Sequence, residues 1–211
     1  MKIKAETFVG ILALLTIGVV GFVVYKKLKG DNTQEEKKGS DTQQNISPDT
    51  TTQITNVPEN IIVGDSQTPY ITKQSKKVQM LGKVGGENVL WKGGMGLKWL
   101  RGAVGKFPTN KGVKNVVINI GTNGGFTQND SIEGLVTDLR RTFPNAKLHV
   151  VQGSWGWGGN KNVTSQKVKA YYDRFATQGV NVIQPAIGVV KDPHGYLPIY
   201  KEIGSNLDKA I

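Results

Sequence analysis

Ser66, Asn123 and His194 are the side chains whose types and spacing could do chemistry, because each follows an apolar run. Gly64-Asp65-Ser66-Gln67 follows the run at 61–63, and Gly121-Thr122-Asn123-Gly124-Gly125 follows that at 116–120. Asp192-Pro193-His194 comes a few residues after a third run, and two more end in Gly93-Gly94-Met95-Gly96 and Gly153-Ser154-Trp155-Gly156-Trp157. Gathered on one edge, these are the parts that ester hydrolysis needs. A serine hydroxyl is a weak nucleophile until a histidine takes its proton. A carboxylate or carbonyl must hold that histidine in the right tautomer. Backbone N–H groups and an asparagine amide can meet the developing oxyanion.

Such residues meet only if the apolar runs are neighbouring strands. NIIVGDS, ENVLWKGG, KNVVINIGTNGG, AKLHVVQGSW and GVNVIQPAIG read as five short strands. Between and after them, 96–104, 131–143, 165–178 and 197–210 read as helices, with Ile132, Leu135, Val136 and Leu139 on one face of the second and Val168, Tyr171, Tyr172 and Phe175 on one face of the third. Strands alternating with helices predict an α/β fold of three layers, a mostly parallel five-stranded sheet covered by helices on both faces. Ligands of such sheets bind beyond the carboxyl ends of the strands.

The order Gly64-Asp65-Ser66, then a glycine block, then Gly121-Thr122-Asn123, then Asp-Pro-His resembles the SGNH (GDSL-type) serine hydrolases over nearly all of 57–211. The resemblance implies a flavodoxin-like fold and an esterase that needs no metal and no organic cofactor. It implies Ser66 as nucleophile, His194 as general base and Asp192 as its orienting partner. The oxyanion hole would be the N–H of Ser66, that of Gly96 or else Gly94, and the Asn123 amide. Gln67, Gly94, Trp155 and Trp157 become candidate substrate contacts; the two tryptophans either stack on sugar rings or pack their own loop.

Two departures from the family pattern stand out. Gly124 occupies the place of the aspartate that usually follows the third-block asparagine, and the last pair is Asp-x-His rather than Asp-x-x-His, with Lys191 at the expected aspartate position. Asp192 precedes a proline and is therefore pushed to an extended conformation, in which positions i and i+2 point the same way. It reaches the His194 ring on that basis; otherwise a backbone carbonyl orients the ring and leaves a Ser–His dyad. Gly-Asp-Ser is also ordinary turn and helix-cap chemistry, and Thr-Asn-Gly-Gly ordinary turn chemistry.

Cysteine is absent and the second histidine, His149, sits inside a strand, so neither thiolate nor multi-histidine metal binding is open to the chain. The glycine block lacks the lysine and spacing of a phosphate loop.

Residues 1–29 read as a membrane anchor. The 19 uncharged residues 7–25 span about 28 Å as a helix, close to the hydrocarbon thickness. Lysines flank both ends, with Tyr25 as an interfacial aromatic. The run is longer than a signal-peptide core and ends in YKKLKG, which favours an uncleaved, single-pass anchor. The lysine count leaves the side of the membrane open; a cell envelope or a virion membrane would serve. Residues 30–56 are polar enough to form a disordered linker.

Net charge is +11, and since residues 1–60 hold seven lysines and seven acidic residues, the whole excess falls on the rest. That field suits solubility or attraction to an anionic polymer or lipid surface; nucleic acid is not the expected partner. The leading expectation is a membrane-anchored esterase acting on an ester-bearing substrate, such as an O-acetylated glycan. The alternatives are a binding module on the same fold with decayed catalysis and a structural component of a virion or cell envelope.

Overall fold

The structure is a computed structural model that describes residues 56–84, 87–153, 163–184, 194 and 197–211, all within the unit Thr50–Ile211. The anchor expected at 7–25 and the linker at 30–56 lie outside the described residues. Among the described residues no helix is long and apolar enough to cross a membrane.

Seven strands are described: β1 (Asn60–Gly64), β2 (Gln79–Met80), β3 (Lys83–Val84), β4 (Glu87–Asn88), β5 (Asn115–Asn119), β6 (Lys147–Val151) and β7 (Asn181–Ile183). Five helices accompany them: α1 (Thr68–Thr72), α2 (Leu97–Lys106), α3 (Ile132–Thr142), α4 (Ser165–Thr177) and α5 (Leu197–Ala210). The main sheet has the order β2-β1-β5-β6-β7, every pair parallel, while β3 and β4 form a separate antiparallel pair.

The strands are apolar on both faces because both faces are covered. Ile61 and Val63 of β1, Val116 and Ile118 of β5 and Val150 of β6 pack with α2, α3 and α4. Ile62, Val117 and Val151 pack on the other side with Ile71 of α1 and Ile199, Tyr200, Ile203 and Leu207 of α5. Each such side chain, fully buried, contributes about 1.5–3 kcal/mol. The expected three-layer α/β architecture with a five-stranded sheet is therefore the observed one.

The edge of that sheet differs from the sequence reading. The second strand was expected in ENVLWKGG, but the strand beside β1 is β2, at Gln79–Met80. Leu90 interrupts the expected strand with φ 58, outside the extended region. Only Trp91 reaches the sheet edge, through one isolated bridge to Gly64.

Gly64 itself is required. Its φ is +152, and a Cβ there would lie 1.9 Å from the Asn119 carbonyl oxygen. The end of β1 thus presses on the end of β5 so closely that the loops following them share one small volume.

Candidate active site

Numbering the sheet strands in chain order gives 2-1-3-4-5, so the order reverses between β1 and β5. That is where doubly wound sheets open a crevice for ligands. The loops leaving β1 and β5 carry Ser66 and Asn123.

Asp65 ties these loops together. It is 1% exposed. Its Oδ1 accepts from the Gln67 N–H and from Asn119 Nδ2, each at 3.0 Å, and its Oδ2 accepts from Asn123 Nδ2 at 3.3 Å. Burial pushes the Asp65 carboxyl up to about 6, against the lowering pull of the Gln67 N–H, the nearby His194 and the Asn119 amide.

Ser66 follows, half-buried, in the turn before the short helix α1. Its Oγ lies 2.8 Å from His194 Nε2, across 128 positions of sequence. With the ring proton on Nδ1, the hydroxyl donates to Nε2, the direction a general base requires. The His194 ring meets that of Tyr70 edge-on at 5.5 Å, and Tyr70 is stacked on Tyr200 at 5.3 Å. Tyr70 stands four residues after Ser66, in α1, so the turn and the short helix that follows it present the serine and an aromatic wall for the histidine.

The glycine loop closes the other side. A Cβ at Gly93 would sit 3.7 Å from Ser66 Cβ, and Gly94 has φ +73. Gly96 is the N-cap of α2. Among the described residues no acceptor takes the N–H of Ser66 or of Gly96. Asn123 Nδ2 also donates to Met95 O at 3.1 Å, which holds the Asn123 amide against this loop. Among the described residues, the N–H groups of Ser66 and Gly96 thus stay open, and the Asn123 amide is held between Asp65 and the glycine loop.

Gln67, a candidate substrate contact on sequence grounds, turns inward instead. It is 6% exposed, and its Nε2 donates to Thr122 Oγ1 at 3.3 Å, making it a strut between the two loops. Asp192, Trp155 and Trp157 lie outside the described residues. Among the described residues no cluster of His, Cys, Asp or Glu could hold a metal ion.

The roles of three residues escaped the sequence reading: Asp65, Asn119 and Tyr70. A polar side chain at the end of the run VVIN was a usable signal for Asn119, since a buried amide needs a partner. Tyr70 lies in a five-residue helix with no periodicity to reveal it.

No family model matches the chain, and no curated protein matches it in sequence. Among solved structures, the chain is similar to a member of the lipolytic protein G-D-S-L family from Veillonella parvula, at 11% identity over 74% of this chain and 98% of that one, with a TM-score of 0.48. It is also similar to a family two carbohydrate esterase from Clostridium thermocellum in complex with cellohexaose, at 18% identity over 74% of this chain and 65% of that one, with a TM-score of 0.39.

Proposed function

We propose that residues 57–211 are an SGNH-type serine esterase domain, tethered by the linker 30–56 to a single membrane-spanning helix at 7–25. The observation that carries this reading is the 2.8 Å approach of Ser66 Oγ to His194 Nε2. It is supported by the N–H groups of Ser66 and Gly96, which no acceptor among the described residues takes, and by the Asn123 amide.

The chemistry follows from that geometry. Ser66 Oγ attacks the ester carbonyl carbon while His194 Nε2 takes the hydroxyl proton. Negative charge then grows on the carbonyl oxygen, within reach of the Ser66 and Gly96 N–H groups and of Asn123 Nδ2. To reach it, the Asn123 amide gives up its bond to Met95 O, so that donor is committed only as the charge develops. Collapse expels the alcohol, which receives the proton from His194, and leaves an acyl group on Ser66. Water then attacks the acyl carbon with His194 again as base, releasing the acid and restoring the serine. In this scheme Asp192 is the orienting partner of His194, and Gly94, Trp155 and Trp157 are substrate contacts. The substrate class we favour is an O-acyl ester on a glycan, met at the membrane surface within the reach of the linker.

The test is labelling of the full-length chain by a fluorophosphonate probe. Labelling is expected in the wild type and lost in both Ser66→Ala and His194→Ala. A folded wild type that takes up no probe would sink the reading.

A further inference from the structure

A groove of about 560 Å³ runs between α2 and α3, and the loop 124–131 forms one end of it. Its wall follows both arms of the proposed oxyanion hole along the chain: Leu97 is the residue after Gly96, and the Oδ2 of Asp130 would be 3.6 Å from a Cβ on Gly124, the residue after Asn123. The groove thus lies on the side of the site where Gly96 and Asn123 stand.

The walls decide what it can hold. Lys98, Arg101, Asn129 and Ser131 supply donors, and Asp130 and Asp138 supply acceptors, around buried Leu97. The carboxylates offset the cations: Arg101 Nε donates to Asp138 Oδ2 at 3.0 Å. An anionic headgroup would need unpaired positive charge, and an acyl chain would need an apolar trough. Interleaved donors and acceptors beside a small apolar patch suit the hydroxyls and the C–H face of a sugar ring. These walls are also held in place. Tyr171 donates to Asp130 Oδ2 at 3.2 Å, and Arg141 Nη2 donates to Asp138 Oδ1 at 3.3 Å.

Two glycines give independent support. Gly102 lines the groove in the interior of α2, and a Cβ there would meet no atom within 4 Å. Neither packing nor backbone conformation demands glycine at that position, yet it costs the helix about 1 kcal/mol relative to alanine. Its effect is to leave the groove open. Gly134 of α3 makes room for Arg101 in the groove wall: a Cβ there would lie 2.6 Å from the Arg101 guanidinium carbon.

We infer that this groove is a carbohydrate subsite, binding a sugar residue next to the one that carries the ester. The inference rests on the esterase reading for its orientation, and binding can be tested without turnover. The experiment is calorimetric titration of the full-length Ser66→Ala protein with β-linked hexasaccharides of glucose, xylose and N-acetylglucosamine. At least one should bind. Adding Gly102→Leu, which fills the groove with a helix-favouring side chain, should weaken that binding about ten-fold or more. Lys106→Leu, an exposed position at the end of α2 and outside the groove, should leave it unchanged. In the catalytically intact chain, Gly102→Leu should lower the preference for an O-acetylated hexasaccharide over an aryl acetate by a similar factor, through KM. Failure of all three sugars to bind, or equal binding by the Gly102→Leu protein, would overturn the subsite. Absence of aryl acetate turnover in the wild type would instead count against the esterase, with the titration still deciding the groove.

Discussion

Asp65 Oδ2 accepts a hydrogen bond from Asn123 Nδ2 at 3.3 Å. The residue that precedes the proposed nucleophile therefore aims the side chain proposed to stabilise the oxyanion. One buried carboxylate, held by Asn119 from the end of β5, sets the relative position of the two loops.

Asp65→Asn keeps the size of that side chain but turns an acceptor into an amide that also donates. With its oxygen kept toward the Gln67 N–H and the Asn119 amide, its own NH2 group meets the Asn123 amide donor against donor. The expected outcome is a fall in kcat of about 100-fold, comparable to losing one oxyanion donor, with KM little changed. Asn123→Ala should cost a similar factor, and the double variant much less than the product, since both remove the same positioned amide. Steady-state kinetics on an aryl acetate would measure all three; multiplicative losses would show that Asp65 acts elsewhere.

The same carboxyl should mark the pH dependence of stability. Its folded value is raised from 3.8 to about 6, chiefly by burial. Between those values the native state binds more protons than the unfolded state, so this contribution is full below about pH 4 and lost as pH rises through 6. At 1.36 kcal/mol per unit the loss is about 3 kcal/mol. Urea unfolding from pH 4 to 7 should show the wild type losing stability relative to Asp65→Asn as pH rises. Parallel curves for the two proteins would refute it.

The extent to which the molecule could be read in advance follows from where each signal resides. Ser66 and Asn123 were legible as site candidates because each follows a run of apolar residues, those of β1 and β5, and His194 because it comes some ten residues after the run of β7. The strand β2 was not legible: Gln79–Met80 has no apolar alternation and is extended because β1 offers it a parallel edge. The run Val89-Leu90-Trp91 misled for the opposite reason, since apolar composition does not reveal the positive φ at Leu90. Asp65 was visible as a letter of a motif, but its role depends on Asn119 and Asn123, 54 and 58 positions away. No local pattern encodes such a meeting.

Far from the site, His149 of β6 lies in a ladder of side chains across the sheet. Asn181 Nδ2 donates to His149 Nδ1 at 3.2 Å, His149 Nε2 donates to Asn115 Oδ1 at 3.1 Å, and Asn115 Nδ2 donates to Asn60 Oδ1 at 2.8 Å. This chain requires the neutral ring, and burial, with Lys147 adding repulsion, lowers the His149 pKa below its usual 6.5. A depressed folded value means that the stabilisation is present above about pH 6.5 and is lost as pH falls through the folded value. Denaturation midpoints of the wild type should therefore drop toward pH 5 more steeply than those of His149→Gln. Fluorophosphonate labelling should be unaffected by this substitution. Identical slopes in the two proteins would exclude the ladder as a titrating element.

Tyr70 should prove to be a positioning residue. Its ring is 39% exposed, is stacked on Tyr200 and meets His194 edge-on, so it restrains the imidazole through packing alone. Tyr70→Phe keeps the ring and should retain the wild-type rate. Tyr70→Ala removes the wall and lets the imidazole swing away from Ser66 Oγ, and misplacement of a reacting group by about 1 Å can cost up to 100-fold. The fall should appear in kcat, and in slower labelling of Ser66 by the fluorophosphonate, with KM nearly constant. Rescue by Tyr70→Phe, together with the unchanged KM of Tyr70→Ala, separates positioning from a general loss of structure. A Tyr70→Ala protein as slow as expected but with a markedly lower unfolding midpoint would assign the loss to the fold instead.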